Sequence, residues 1–229
     1  MIALPDRDTH WTDRQRDVLD VVLQLLVEEG DRLTMTRVAQ RASCSKETLY
    51  KWFGDRDGLL TATVQWQALR VRVAPIDRAR LDLAALTDRL TEFAVNWLTV
   101  IGTTTSVALN RVAIAQSASA PRLGTIVLEN GRFEMGRRLK PLIEAGRDAG
   151  LLAFDDTETA FRTFFGLVAR DVQIRLLLGD TIDMSEPTIR ADAERATTHF
   201  LALYGAASTP AQPDNRKPNR TSATSGSTP

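Results

Sequence analysis

Apolar residues recur every three to four positions along most of this 229-residue chain, and alternating β-branched runs are few. That period is the signature of helices with one buried face, so an all-α fold is expected. Thr12 and Gln15 make a capping box that opens a helix at Asp13. Val18, Leu19, Val22, Leu25 and Leu26 continue its apolar stripe until Gly30 stops it. Thr34 caps a second, short helix whose apolar spot is Val38 and Ala39 and which reaches Arg41 or Ala42. Ser43 and Cys44 form a turn. Ser45 caps a third helix in which Leu49, Trp52 and Phe53 fall at i, i+3 and i+4 on one face. Asp55 caps a fourth from Arg56, with Leu59, Leu60, Val64 and Leu69 directed inward and Pro75 marking its end.

The helical period resumes near Asp77. Leu83, Leu86, Leu90, Phe93, Ala94 and Trp97 carry it to a break between Thr99 and Thr105, and another helix runs from Thr105 to Ser117. Pro121 suits the first turn of the next, which extends to Gly150 as one helix or as two halves bent at Gly131 or Pro141. Asp155 or Asp156 caps a helix predicted to run unbroken to Leu178, and a last one spans Pro187 to Tyr204, with Phe200, Leu201 and Leu203 among its apolar positions. About nine helices result. The predicted division is a flexible arm at 1–11, a small helical domain at 12–74, a larger one at 75–207 and a tail at 208–229. The tail has almost nothing to bury and is expected to be disordered.

Composition narrows the class. The chain is 43% hydrophobic and 25% charged, ordinary for a globular protein. One cysteine excludes an intrachain disulfide and fits a reducing cytosol. With no signal-like start and no run of about 18 apolar residues, a cytoplasmic location is expected. The net charge of zero argues at first against nucleic acid, but its distribution does not. Between Arg32 and Lys51 five bases (Arg32, Arg37, Arg41, Lys46, Lys51) face one acid, Glu47, for a local net charge of +4. A neutral chain with one basic patch suits contact with a short duplex site better than coating of DNA.

The third helix buries Leu49 and Phe53 while offering hydroxyls and ammonium groups on its other face, which is what entry into the major groove requires. Its setting (Val38-Ala39, Ser45-Lys46, Thr48-Leu49-Tyr50, Phe53, Leu59-Leu60) resembles the helix-turn-helix signature of the TetR family of bacterial transcription regulators. Three positions depart from that pattern. Ser43 stands where the family usually has Gly, so a left-handed turn there would cost about 1–2 kcal/mol. Glu47 replaces a small residue, and Arg56 replaces the more usual Lys. The resemblance implies a DNA face made of Thr34, Arg37, Ser45, Lys46, Glu47, Thr48, Tyr50, Lys51, Trp52 and Arg56. Within it Lys46 and Thr48, in the first helical turn, are candidates for base edges, and Tyr50 and Lys51 for phosphates. Trp52 either packs under the helix or reaches the backbone of the duplex. Cys44 reads as a small buried hydrophobe in the turn rather than a redox sensor.

The second region, from Arg111 through Phe164-Phe165-Gly166-Leu167 to His199-Phe200-Leu201-Ala202-Leu203-Tyr204, resembles the C-terminal domain of AefR-like TetR regulators. That resemblance implies a homodimer on a palindromic operator, released by a small-molecule effector. Phe93, Trp97, Arg111 and Phe133 are the candidates to line an effector cavity, with Arg111 alternatively solvated or internally paired. Phe165, Val172, Ile189 and Phe200 are the candidates for the dimer seam. No cofactor is implied, no carboxylate or cysteine sits at metal-ligand spacing near His10 or His199, and no nucleophile–base pair or phosphate loop suggests an enzyme. The alternative is a constitutive DNA-binding dimer whose second domain is only a scaffold for dimerisation or a protein partner. A solid core between Leu83 and Gly150 favours that scaffold; an apolar cavity there favours the sensor.

Overall fold

Eleven α-helices occur among the described residues, and no strand; nine of the helices are at least seven residues long. The structure, a computed structural model, describes residues 11–71, 77–118 and 121–206. The arm up to His10, the predicted boundary at 74 and 75, and the tail from 208 lie outside these residues.

Local capping sets the small domain. In α1 (Asp13–Glu29) the Thr12 hydroxyl accepts from the Gln15 amide, and the Gln15 side chain accepts from the Thr12 amide. Thr34 caps α2 (Met35–Arg41) and Ser45 caps α3 (Lys46–Phe53), accepting from the backbone N–H of Arg37 and Thr48 at 3.2 and 3.1 Å. Asp55 caps α4 (Arg56–Ala68) through the Gly58 amide at 2.7 Å. Gly58 is needed there: a Cβ would stand 2.0 Å from the Phe53 carbonyl oxygen, because α4 starts hard against the end of α3. Leu69, expected inward, follows the last residue of α4 and is 48% exposed.

The larger region comprises α5 (Leu83–Ile101), α6 (Thr104–Gln116), α7 (Arg122–Val127), α8 (Phe133–Asp148), α9 (Thr157–Ala169), α10 (Val172–Leu177) and α11 (Glu186–Tyr204). Between α7 and α8 the chain makes a π-helical turn over Leu128–Arg132, so the bend expected at Gly131 takes the form of one widened turn. The predicted single helix from Asp156 to Leu178 is instead broken at Arg170, whose φ of 42° ends α9. The break returns Val172 to the core and leaves Ile174 and Leu178 exposed. Leu203 on α11 also faces outward, at 63% exposure, because α11 buries the face of Ile189, Ala193, Ala196 and Phe200 instead. Ala153 donates to the Tyr204 carbonyl and Ala206 to that of Leu151, which ties the end of α11 to the α8–α9 loop.

Two apolar clusters fill the protein. One joins α1–α4 with Leu109, Val112, Ala113, Leu123 and Ile126 of α6 and α7, so its packing crosses the predicted domain boundary. The other is built around Phe93, Phe161, Phe164 and Phe200. Leu59, Leu60 and Val64 of α4 belong to the first cluster, and Ala68, at its other end, to the second. Among the described residues no single helix is long and apolar enough to cross a membrane.

Candidate nucleic-acid interface

The recognition helix α3 is seated by Leu49 and Phe53, both buried, and by a tilted contact of Phe53 with Trp11 at 5.9 Å. Lys46, Glu47, Tyr50 and Lys51 are exposed along its outer side, with Tyr50 at 51%, and Thr48 is half-buried beside them. Lys46 and Lys51 have no carboxylate partner among the described residues, so two ammonium groups stand free on one face. The Glu47 carboxyl is held below its ordinary pKa by its own backbone N–H and the Ser45 hydroxyl, and it remains an anion beside them. Trp52 is half-buried, set edge-on to Phe53, and so packs on the flank of the small core.

The other expected contacts are less free. Arg37 is paired with Glu29 at 2.6 Å and Arg41 with Glu28 at 2.9 Å, so α1 neutralises two of the five bases of the patch. Such exposed pairs are worth about 0–1 kcal/mol and yield readily to a phosphate. Arg56 does not extend the basic face: it is half-buried and its Nε donates to the Leu33 carbonyl at 3.1 Å, locking α4 to the segment before α2. Thr34 and Ser45 spend their hydroxyl oxygens on the caps and remain exposed.

The turn between α2 and α3 contains Ser43 at φ 51°, the left-handed conformation that favours glycine. Arg14 compensates, an interaction not legible in the sequence: its Nη2 donates to the carbonyls of Ala42 at 2.5 Å and Ser43 at 3.2 Å. Cys44 beside it is half-buried, and burial raises its thiol pKa although Arg14 opposes the shift. Replacing Ser43 by Gly should remove backbone strain of about 1–2 kcal/mol against an unfolded-state entropy cost of about 0.5–1 kcal/mol. A net rise in melting temperature by circular dichroism is the expected result, with DNA affinity unchanged; a fall would mean that the turn is not strained.

A second feature lies at the far end of α4. A cavity of about 320 Å³ opens between α4, α5, α6, the π turn and α10, walled by Val64, Gln67, Trp97, Leu109, Arg132 and Phe165 among others. Of the residues expected to line it only Trp97 does. Phe93, 2% exposed, is packed against Phe164 in the core, and Phe133, 46% exposed, starts α8 on the outer side. The widened turn brings Arg132, one residue earlier, to the wall instead. Arg111 is internally engaged, donating to the carbonyls of Leu176 and Leu177 at 2.8 and 3.1 Å. The seam candidates are also displaced: Phe165 lines the cavity, while Val172, Ile189 and Phe200, at 6%, 6% and 0% exposure, are buried within their own chain. None of these four offers an outward apolar face.

A tri-helical unit whose third helix presents cations on its outer side, carried on a larger helical body with a cavity, is the architecture of helix-turn-helix regulators. The family model for the C-terminal domain of AefR-like transcriptional repressors matches residues 88–206. A TetR regulator from Agrobacterium tumefaciens is 45% identical, over 86% of this chain and 97% of that one, with a TM-score of 0.76. The flavonoid-responsive regulator FrrA is 27% identical, over 85% of this chain and 98% of its own, with a TM-score of 0.64. A regulator from Mesorhizobium loti shares the fold at 22% identity, over 84% and 96%, with a TM-score of 0.70. No curated protein matches. The chain belongs to the TetR family of transcription regulators.

Proposed function

We propose that this regulator is a repressor that binds a palindromic operator as a homodimer and leaves it when a small molecule occupies the cavity. The observation that carries this reading is the position of α4. Its first turns pack under the recognition helix through Leu59 and Leu60, and its last ones, with Val64, Gln67 and Ala68, wall the cavity. The helix is gripped on both sides. Trp66 and Arg70 donate to Asp20 of α1 at 2.8 and 2.9 Å, while Gln65 donates to Asn130 of the π turn at 3.2 Å. Arg138 of α8 donates to the carbonyls of Ala68 and Val71, both at 2.9 Å. If a ligand binds more tightly to a conformation with α4 displaced and the recognition helices misplaced, it weakens operator binding, and by linkage the operator weakens ligand binding by the same factor. The cavity favours a sensor over a constitutive scaffold, and the response of FrrA to flavonoids supports the same reading.

One recognition helix makes too few contacts for site specificity, so two must be held about 34–36 Å apart, one turn of duplex, or a multiple of that. The faces available for pairing are the outward ones of α9 and α11, which adjoin each other where Thr163 meets the Tyr204 hydroxyl at 3.1 Å. They carry exposed Gly166, a position where an added Cβ meets nothing, and Leu203. We expect Leu203→Glu and Gly166→Arg to halve the mass seen by light scattering, with little change in melting temperature. Affinity for labelled duplex from the DNA flanking its own gene should then fall about tenfold or more, as loss of one half-site's contacts demands. Dimers that survive both variants would remove this seam, and a wild-type protein that binds no duplex above random-sequence affinity would remove the repressor reading.

A further inference from the structure

Three polar groups in the cavity wall are unusual in how little holds them. Gln67, 4% exposed, donates from Nε2 to the hydroxyls of Thr103 and Thr105 at 3.2 and 3.4 Å, while its Oε1 is buried with no partner among the described residues. Its orientation is dictated from outside the cavity: Thr103 gives its own proton to the Val100 carbonyl at 2.8 Å and so presents lone pairs to the amide. Trp97, 7% exposed, likewise buries Nε1–H with no acceptor among the described residues. A buried donor or acceptor left unmet costs about 1–3 kcal/mol, and native proteins tolerate few of them. Both residues line one apolar cavity, with these two atoms packed behind its surface.

The third group is Arg132, placed at the wall by the π turn. Its guanidinium lies over the rings of Phe161 and Phe165, at 4.5 and 4.3 Å from their centroids, and has no carboxylate or carbonyl acceptor among the described residues. Burial lowers its pKa, Arg162 adds a like charge, and the opposing Glu158 is already paired with Lys140 at 2.5 Å. An arginine keeps its charge under any physiological condition, so a half-buried cation with no protein acceptor among the described residues stands at the cavity wall, against the Phe165 ring. Two aromatic residues, Trp97 and Phe165 with ring centroids 5.2 Å apart, also line the cavity.

We propose that the effector is a compact, hydroxyl-bearing aromatic acid: a carboxylate or equally acidic oxygen for Arg132, a flat apolar body against Trp97 and Phe165, and a hydroxyl that donates to Gln67 Oε1. This rests on the ligand-released reading above. The carboxylate takes the guanidinium fork in a charge-assisted pair, and the hydroxyl meets a polar atom that no protein group among the described residues partners. The volume of about 320 Å³ stands at the lower end for small-molecule sites, which favours one fused-ring body over a long chain.

Three probes that differ by one group test it by isothermal titration calorimetry on the full chain: 6-hydroxy-2-naphthoate, 2-naphthoate and the neutral 6-hydroxy-2-naphthamide. The hydroxy acid should bind about tenfold more tightly than the amide, and more tightly than 2-naphthoate. Arg132→Gln should bring acid and amide within about twofold of each other, while Arg132→Lys keeps the acid ahead, since a charge without the fork remains. Gln67→Leu should erase the advantage of the hydroxyl and leave that of the carboxylate. Thermal melts of each variant separate loss of binding from loss of fold. An amide that binds wild type as tightly as the acid overturns the anion assignment while the ligand-released reading stands. Absence of heat and of thermal shift for all three probes at millimolar concentration overturns both for this cavity.

Discussion

Phe200→Asp should leave little or no folded protein under conditions where wild type is native. Phe200 is fully buried, with the Phe164 and Tyr204 rings each 5.1 Å from its own between centroids. Removing a buried phenylalanine costs about 3–5 kcal/mol through lost transfer energy and the cavity left behind. A carboxylate in its place, set between the Phe164 and Tyr204 rings, adds several kcal/mol more or takes up a proton to avoid it. Against a total stability of about 5–15 kcal/mol, the sum is enough to unfold the chain. The measurement is denaturant unfolding followed by circular dichroism, and a cooperative transition at a midpoint like that of wild type would show that Phe200 is not a core residue. Leu203→Glu, three residues on, is the internal control, since exposed substitutions usually stay within about 0.5 kcal/mol. The contrast separates core from seam on a single helix.

The second large effect is on operator recognition. Lys46→Ala should cost about 1–3 kcal/mol on the true operator and much less on an operator altered at the base it reads. Lys46 has the credentials for this: it opens the first turn of α3, is exposed, and has no carboxylate partner among the described residues. Tyr50→Phe removes one hydroxyl from a side chain that is 51% exposed and leaves the ring in place. If that hydroxyl meets a phosphate, binding weakens by about 1 kcal/mol on every sequence. The salt dependence then barely changes, because a neutral phenol releases no counterion. Titration of labelled duplexes at several salt concentrations distinguishes the two roles. Equal losses on all duplexes for Lys46→Ala would make it a phosphate contact and pass base reading to Thr48 or Glu47.

The basic patch has a corollary. Arg37 and Arg41 are exposed but paired with Glu29 and Glu28 of α1, so the free cations of the face are fewer than the linear count of +4 suggests. Each pair would exchange a carboxylate for a phosphate on binding, which trims the gain from those two bases and leaves Lys46 and Lys51 the larger share.

What the sequence by itself determined was local. The caps at Thr12, Thr34, Ser45 and Asp55 close through hydrogen bonds that span three residues, and the buried positions of α1 to α3 repeat with the helix period, so both are written in short windows. The left-handed turn was legible too, because a serine in place of the usual glycine marks where strain must sit. Everything that depended on which face meets which neighbour was decided only by the tertiary structure. Phe200 and Leu203 look alike in a list of apolar residues, yet α5 and α9 cover one and not the other. The break at Arg170 carries no local signal of its own, and Gly131 marked a bend before Phe133 without showing that a widened turn would bring Arg132 to the cavity. Gln67 and Trp97 come from helices α4 and α5, and Arg132 from a turn 65 residues beyond Gln67. Their meeting at one cavity exists only once packing has buried Gln67 and Trp97 and half-buried Arg132 beside them.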